Sequence, residues 1–356
     1  LTPQFTVTND TGCAPFSVST TNTTNLSTTC SPPTYNWQVS YVAANCGTTS
    51  GFSFTGGTNA SSANPSFNFT QPGTYTLTLT TTNSCGSATT TRTINVLSPP
   101  TVSLASISNA CGAVNISPNA TVNGCAPTGT ALTYNWSFPG GTPSSSNSAN
   151  PGTIQYATPG NYTVSLTVSN SCGASNVASQ TFTISPIPEI INTISSQTIC
   201  SGLTTTPVVI TANQPGTTFT WTATGTVGIT GFTASGTSNT IPAQTIITTG
   251  SSPGQVLYVV TPTLNGCQGN PFTYTVVVNP APNITTQPAS STVCLGGNPT
   301  PMTVAISPTT PGVSYQWFSN SNNSNTGGAL ISGATTATYT PPSTTVGTIY
   351  YYVVVT

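Results

Sequence analysis

The fold of this chain is predicted by one stretch of its sequence, Gln71-Pro72-Gly73-Thr74-Tyr75-Thr76-Leu77-Thr78-Leu79-Thr80. Tyr75, Leu77 and Leu79 alternate with threonines, and a period of two residues is that of a strand with one face in a core and the other in solvent. The stretch recurs as Thr158-Pro159-Gly160-Asn161-Tyr162, followed by the same alternation. Threonine, a β-branched residue, favours strands. An all-β protein is therefore predicted.

Further landmarks repeat in the same order, which indicates a tandem repeat. Each occurs once in the first repeat and once in the second: Tyr35-Asn36-Trp37 and Tyr134-Asn135-Trp136, Asn64-Pro65 and Asn150-Pro151, Asn83-Ser84-Cys85-Gly86 and Asn170-Ser171-Cys172-Gly173. Two later segments keep the tryptophan position, at Trp221 and Trp317. Short strands separated by turns at intervals of about 8–12 residues predict β-sandwiches.

Three proline-rich joints divide the repeats. They are Ser98-Pro99-Pro100, Pro186-Ile187-Pro188 and Pro280-Ala281-Pro282. Such segments favour an extended, semi-rigid geometry. We therefore predict four tandem immunoglobulin-like β-sandwich domains in an elongated rod, the last one incomplete at its C-terminus. Their bounds are 1–98, 99–186, 187–279 and 280–356.

Side chains that carry a charge at neutral pH are almost missing from the sequence. Among its 356 residues only Asp10, Arg92 and Glu189 are charged, and there is no histidine. General acid–base and nucleophilic catalysis need positioned titratable groups, and zinc and calcium sites need clustered Cys, His or carboxylate ligands. One arginine cannot form a phosphate-binding patch. We predict no catalytic residue, no metal, no cofactor and no nucleic-acid partner.

The four tryptophans have two possible roles. Trp37, Trp136, Trp221 and Trp317 take the same strand position in their repeats, which is the position of the core tryptophan in immunoglobulin-like sandwiches. Core packing is therefore predicted. The alternative is that the rings form platforms on which sugars stack.

The ten cysteines lack metal-type spacing, which indicates disulfides and an oxidising compartment. With strands named A to G, the AB and CD loops lie at one end of a sandwich and the BC and FG loops at the other, about 20 Å away. Disulfide-bonded Cα atoms lie within about 7 Å, so cysteines at the same end are expected to pair. This predicts Cys13–Cys46 and Cys30–Cys85 in the first domain. In the second domain, Cys125 and Cys172 share an end.

The remaining cysteines suggest bonds across domain joints. Cys111 is alone at its end of the second domain, and Cys267 lies at the end of the third domain that faces it. We predict Cys111–Cys267, and by the same rule Cys200 needs a partner just past Thr356 and Cys294 one in a following domain. Disulfides would then join successive domains into a rod that resists bending and pulling. The alternative keeps each bond within one domain and pairs Cys200 with Cys267.

The repeats resemble known families. The first two resemble polycystic-kidney-disease (PKD) domains in their Tyr-x-Trp strand, Asn-Pro strand entry and Pro-Gly-x-Tyr corner. The third is similar to PKD-like repeats of Bacteroidetes surface proteins through Ile199-Cys200-Ser201-Gly202 and Tyr258-Val259-Val260-Thr261-Pro262. The fourth is similar to their bacterial immunoglobulin-like repeats through Ile331-Ser332-Gly333-Ala334-Thr335. The usual PKD pattern Trp-Asp-Phe-Gly-Asp-Gly reads Trp136-Ser137-Phe138-Pro139-Gly140-Gly141 here, so no role of its two acids carries over.

This resemblance implies a non-catalytic structural or adhesive segment of a secreted, outer-membrane-associated cell-surface protein. The implied relatives are giant gliding-motility adhesins exported by type IX secretion. Expected partners are neighbouring repeats of the same polypeptide, glycans or surfaces, the secretion or motility machinery, and further copies of the chain, because its edge strands lack blocking lysines. The alternatives are a carbohydrate-binding or spacer region of a large secreted hydrolase, and a spacer that binds nothing.

Overall fold

The computed structural model describes residues 1–26, 31–47, 49–307 and 313–356. The described residues form strands and no helix, so the predicted all-β class is confirmed. They contain no helix long and apolar enough to cross a membrane. The chain divides into two compact units, residues 1–186 and 187–356.

The first unit begins with a sandwich of two four-stranded sheets in its described residues. The strands are β1 (Phe5–Val7), β2 (Thr11–Cys13), β3 (Phe16–Asn22), β4 (Thr34–Ala43), β5 (Phe52–Thr55), β6 (Ser66–Phe69), β7 (Gly73–Asn83) and β8 (Gly86–Leu97). One sheet has the order β1-β3-β6-β5 and the other β2-β8-β7-β4. β2 runs parallel to β8, and β7 is antiparallel to β4 and β8.

The second sandwich of this unit repeats that arrangement. Its strands are β9 (Thr101–Leu104), β10 (Ala110–Cys111), β11 (Val114–Ile116), β12 (Ala120–Asn123), β13 (Thr133–Ser137), β14 (Ser145–Ser146), β15 (Ile154–Tyr156), β16 (Gly160–Asn170), β17 (Gly173–Ala174) and β18 (Ala178–Ser185). The larger sheet has the order β10-β18-β16-β13-β14, with β17 on β16. The pairs β9–β12 and β11–β15 form separate short sheets. As in the first sandwich, a short strand runs parallel to the last one, here β10 along β18.

The second unit begins with a third sandwich. Its strands are β19 (Ser196–Cys200), β20 (Val208–Val209), β21 (Thr218–Gly225), β22 (Ile229–Thr230), β23 (Ser235–Gly236), β24 (Thr240–Ile241), β25 (Ile247–Thr248), β26 (Gly254–Leu264), β27 (Cys267–Gln268) and β28 (Phe272–Asn279). The order β19-β28-β26-β21-β23 matches that of the second sandwich, with β27 on β26.

The last strands belong to a fourth sandwich. They are β29 (Asn283–Thr286), β30 (Met302–Thr303), β31 (Ala305–Ser307), β32 (Tyr315–Asn320), β33 (Ala329–Leu330), β34 (Thr338–Tyr339) and β35 (Tyr350–Val355). β33, β32 and β35 form one sheet, and β29–β31 and β30–β34 pair separately.

Buried apolar side chains form four separate clusters in the described residues. Each cluster contains one tryptophan and lies inside one predicted domain, although the exact domain bounds stay predictions. In the first cluster Tyr75, Leu77 and Leu79 are fully buried, as their alternation with threonine requires. Burial of this apolar surface is the main force that holds each sandwich together.

A tyrosine fixes the entry to the long strand in both sandwiches of the first unit. The hydroxyl of Tyr75 donates to the carbonyl of Gln71 at 3.0 Å, and that of Tyr162 donates to the carbonyl of Thr158 at 2.7 Å. This hydrogen bond back to the upstream turn is the tyrosine corner of immunoglobulin-like sandwiches. The Pro-Gly-x-Tyr repeat therefore encodes a local turn as well as a strand.

Candidate functional site

Two disulfides join the first sandwich to the second. Cys13 bonds to Cys172 and Cys46 bonds to Cys125, with Cα atoms 5.5 and 4.9 Å apart. Cys13 ends β2 and Cys172 lies in the turn between β16 and β17, whereas Cys46 follows β4 and Cys125 follows β12. Both bonds thus cross the joint at Ser98-Pro99-Pro100. We call this pair of bonds the joint clamp.

The predicted bond Cys13–Cys46 is therefore wrong, and Cys125 and Cys172 do not bond to each other either. The sequence placed the first two at one end of their domain and the last two at one end of theirs. These two ends meet at the joint, so each cysteine has candidate partners on both sides of it. The distance rule alone could not choose among them.

Cys200 and Cys294 are exposed free thiols in the described chain. The alternative bond Cys200–Cys267 is therefore wrong. The partners that the sequence suggests for Cys200 and Cys294 in following domains stay predictions.

Two further predicted bonds are neither confirmed nor contradicted. Cys30 lies outside the described residues, so Cys30–Cys85 stays a prediction. Cys111–Cys267 would connect residues of the two compact units and likewise stays a prediction.

Hydrogen bonds hold the linker inside the joint clamp. The amide of Ser98 donates to the carbonyl of Cys125 at 2.8 Å, and the side chain of Asn170 donates to the carbonyl of Ser98 at 2.7 Å. Asn170 also donates to the carbonyl of Gly124 at 3.0 Å, and Asn45 accepts from the amide of Cys125 at 3.2 Å. Ser98, the first residue of the linker, is thus held by hydrogen bonds to both its backbone amide and its backbone carbonyl.

The sequence analysis did not identify Asn45 and Asn170 as joint residues, although a repeated motif contains Asn170. Asn170 belongs to the repeated Asn-Ser-Cys-Gly motif, and its side chain accepts from the amide of Cys172 at 2.8 Å. Asn83 does the same for Cys85 at 2.9 Å. The motif therefore encodes an Asx turn that positions a cysteine. Nothing in the sequence singled out Asn45.

The outer face of the sheet β2-β8-β7-β4 is a second candidate site. Cross-strand register places Thr78 beside Gln38 and Thr91, and Thr80 beside Asn36 and Thr89. We call the polar side chains on this face of β4, β7 and β8 the neutral face. Its members are Thr34, Asn36, Gln38, Ser40, Thr76, Thr78, Thr80, Thr82, Ser87, Thr89, Thr91 and Thr93.

The neutral face presents a two-dimensional array of hydroxyls and amides. Neighbouring strands lie about 4.8 Å apart, and side chains on one face of a strand repeat about every 6.7 Å. The members on β4 and β8 are exposed and most of those on β7 are half-buried. Arg92 lies on β8 but opposite Leu77, so it belongs to the other face of the sheet. The array itself is uncharged.

The second sandwich carries a similar face. Its members on β13, β16 and β18 are Thr133, Asn135, Ser137, Asn161, Thr163, Ser165, Thr167, Ser169, Ser179, Thr181 and Thr183. In the third sandwich Leu257 and Val259 interrupt the corresponding positions of β26. A continuous array is thus a property of the two sandwiches of the first unit.

The tryptophans do not form sugar platforms. Each of the four is at most 4% exposed. The indole of Trp37 donates to the carbonyl of Ser62 at 3.0 Å, and that of Trp136 donates to the carbonyl of Ser148 at 3.1 Å. These rings are internal parts of their cores and offer no face to a ligand.

An open groove of about 590 Å³ lies in the fourth sandwich. Val293, Leu295, Ile349 and Tyr350 line it, together with prolines. None of its lining side chains is charged. In the described residues, no group of three or more His, Cys, Asp or Glu side chains is placed to hold a metal ion.

Family models match nearly the whole chain. The PKD domain model matches residues 14–97 and 98–185, and the PKD-like domain model matches residues 197–282. Residues 283–356 match a domain of unknown function (DUF8696), so the immunoglobulin-like assignment of the fourth repeat stays a prediction. No curated protein matches the chain.

Solved structures with tandem domains resemble the chain at low identity. The I-band fragment I67–I69 of titin is 10% identical, with 79% of this chain and 99% of that chain covered and a TM-score of 0.35. FdeC, an Escherichia coli adhesin, is 15% identical, with 78% and 96% covered and a TM-score of 0.40. With TM-scores this low, these likenesses add nothing to the family matches. Residues 14–185 are two PKD domains and residues 197–282 are a PKD-like domain, so this chain consists largely of immunoglobulin-type domains in tandem.

Proposed function

We propose that this chain is a non-catalytic structural and adhesive segment of an extracellular protein. The neutral face carries the proposal, because it offers an uncharged array of hydroxyl and amide groups on a rigid sheet. PKD and immunoglobulin-like repeats are typical of structural or adhesion-type extracellular proteins. The disulfides agree with an oxidising, extracellular location.

The chemistry of the neutral face favours neutral, hydroxyl-rich ligands such as polysaccharide surfaces. One hydrogen bond contributes only about 0.5–1.5 kcal/mol net. Many such bonds on one rigid face act together, because each bond raises the effective concentration of the next. Salt screens charges and not neutral dipoles, so this adhesion is expected to be insensitive to ionic strength.

Adhesion of beads coated with the full chain to a neutral polysaccharide film tests this function. We expect the same adhesion at low and high salt. The triple variant Thr78→Val, Thr80→Val, Thr91→Val removes three hydroxyls of the neutral face and keeps β-branched side chains that suit a strand. It is expected to reduce adhesion several-fold.

The matched control is Thr6→Val with Thr21→Val, which are exposed and paired on the opposite sheet. It should adhere like the unaltered chain. Equal loss in both variants, adhesion that disappears in high salt, or no adhesion at all would each contradict the proposal, and the last result would favour a spacer.

The finer assignment remains a proposal from sequence resemblance. It comprises outer-membrane association, export by type IX secretion and a role in gliding motility. A carbohydrate-binding region of a large secreted hydrolase would adhere in the same way. The sequence of adjacent domains in the parent protein separates the two, because further repeats support an adhesin and a domain with histidine and clustered acids supports a hydrolase.

A further inference from the structure

We propose that the Cys13–Cys172 disulfide carries the tension between the first two domains, so that most of the chain that forms the two PKD cores lies outside the loaded path. Its two cysteines are 159 residues apart in sequence, and both core tryptophans, Trp37 and Trp136, lie between them. Cys46–Cys125 is nested inside the same loop. This mechanical role holds whether or not the neutral face binds a ligand.

In sequence, Cys13 lies near the start of the two-domain segment 1–186 and Cys172 lies near its end. When the chain is pulled at Leu1 and Pro186, the covalent path runs from Leu1 to Cys13, across the disulfide, and from Cys172 to Pro186. This path has about 26 peptide units and a maximum length of about 90 Å. Without the disulfides the path has about 185 peptide units and reaches about 650 Å.

While the Cys13–Cys172 disulfide is intact, unfolding of both sandwiches would add little to the length of the two-domain unit. β7 has 11 residues, and a strand of that length spans about 35 Å, so two sandwiches placed end to end already measure about 70 Å. Loss of both cores would therefore extend the unit by only a few tens of ångströms. Only β1, β2, β17 and β18 lie on the loaded path.

The local structure places the bond beside the linker. Cys13 pairs in register with Leu97, and the next amide, that of Ala14, donates to the carbonyl of Leu97 at 2.8 Å. At the other end, Gly173 follows Cys172 and packs near the ring of Pro99, with 3.7 Å between a Cβ built on Gly173 and the Pro99 Cγ. Load thus leaves the first domain where the linker leaves it and enters the second domain beside the same linker.

The second disulfide provides a matched control. Cys46–Cys125 carries no load while Cys13–Cys172 is intact, since the shorter covalent path avoids it. If Cys13–Cys172 is removed, Cys46–Cys125 excludes 79 peptide units from the path. The maximum length then becomes about 370 Å.

Single-molecule force spectroscopy on the full chain tests the proposal. Handles are attached through short ligation tags, one at Leu1 and one inserted between Pro186 and Ile187, where Ile187 is 45% exposed. We expect the oxidised chain to stop extending at about 90 Å. The variant Cys46→Ser with Cys125→Ser should stop at the same length.

The variant Cys13→Ser with Cys172→Ser should instead extend to about 370 Å. A reducing agent added to the unaltered chain under load should extend it to about 650 Å, which tests the proposal without any substitution that could impair folding. An oxidised chain that lengthens by hundreds of ångströms would overturn it. So would equal lengths for the two double-serine variants.

Discussion

At the scale of single residues, buried tyrosine hydroxyls differ in whether they have a hydrogen-bond partner. Tyr75 and Tyr156 are both fully buried. The hydroxyl of Tyr75 donates to the carbonyl of Gln71 at 3.0 Å, whereas that of Tyr156 has no partner in the described structure. A buried polar group without a partner costs free energy, while a satisfied one stabilises the fold modestly.

The two tyrosines therefore predict opposite responses to loss of the hydroxyl. Tyr75→Phe should lower the free energy of unfolding by about 0.5–1.5 kcal/mol, because it also leaves the Gln71 carbonyl without its donor. Tyr156→Phe should be neutral or stabilising. Thermal and denaturant unfolding of both variants checks this, and a larger loss for Tyr156→Phe than for Tyr75→Phe would refute the assignment.

At the scale of elements, the tryptophan strand of the third domain depends on a neighbour without a side chain. Trp221 on β21 pairs with Gly236 on β23. A Cβ at Gly236 would lie 2.3 Å from the Cζ2 atom of the indole, which is far inside van der Waals contact. The indole ring therefore occupies the space that a side chain at position 236 would need.

Gly236→Ala should therefore destabilise the third domain by about 1–3 kcal/mol, the usual cost of overpacking a core. Gly250→Ala is the matched control in the same domain, since a Cβ there would meet no atom closer than 3.5 Å. Unfolding followed by tryptophan fluorescence compares the two. Equal stability of the two variants would contradict the packing argument.

The strands and their faces could be predicted from sequence because alternation is a local property. Tyr75, Leu77 and Leu79 are buried as their period requires, and the Pro-Gly-x-Tyr corner forms. Disulfide partners could not be predicted, because they depend on which ends of two domains meet. Cys13 and Cys46 lie at the predicted end of their domain, and the structure adds the facing end with Cys125 and Cys172. The neutral face needed the cross-strand register, which one sequence does not contain.

At the scale of the whole molecule, the near absence of charge leaves tyrosine as the main group that links stability to pH. Burial raises the pKa of Tyr75, Tyr156, Tyr258 and Tyr274 above the ordinary value for tyrosine. A neighbouring tyrosine raises the pKa of each of the first three further, by a smaller amount. Above pH 10 the unfolded chain would lose protons that the folded chain keeps. Stability is therefore lost as the pH rises through this range.

We expect the unfolding temperature to be nearly constant between about pH 5 and 9 and to fall above about pH 10. Calorimetry after alkylation of Cys200 and Cys294 measures this without disulfide exchange by the free thiols. Tyr258→Phe should make the fall of the unfolding temperature at alkaline pH shallower. A steep change near pH 6 to 7, where histidine titrates, would be inconsistent with a chain that has none.

Two disulfides cross the joint between the first two domains. Mass spectrometry of peptides from the non-reduced, thiol-blocked chain tests this arrangement most directly, with elastase as the protease because Arg92 is the single tryptic site. We predict one linked pair containing Cys13 and Cys172 and another containing Cys46 and Cys125. A linked pair containing Cys13 and Cys46 would instead show that the bond stays within the first domain.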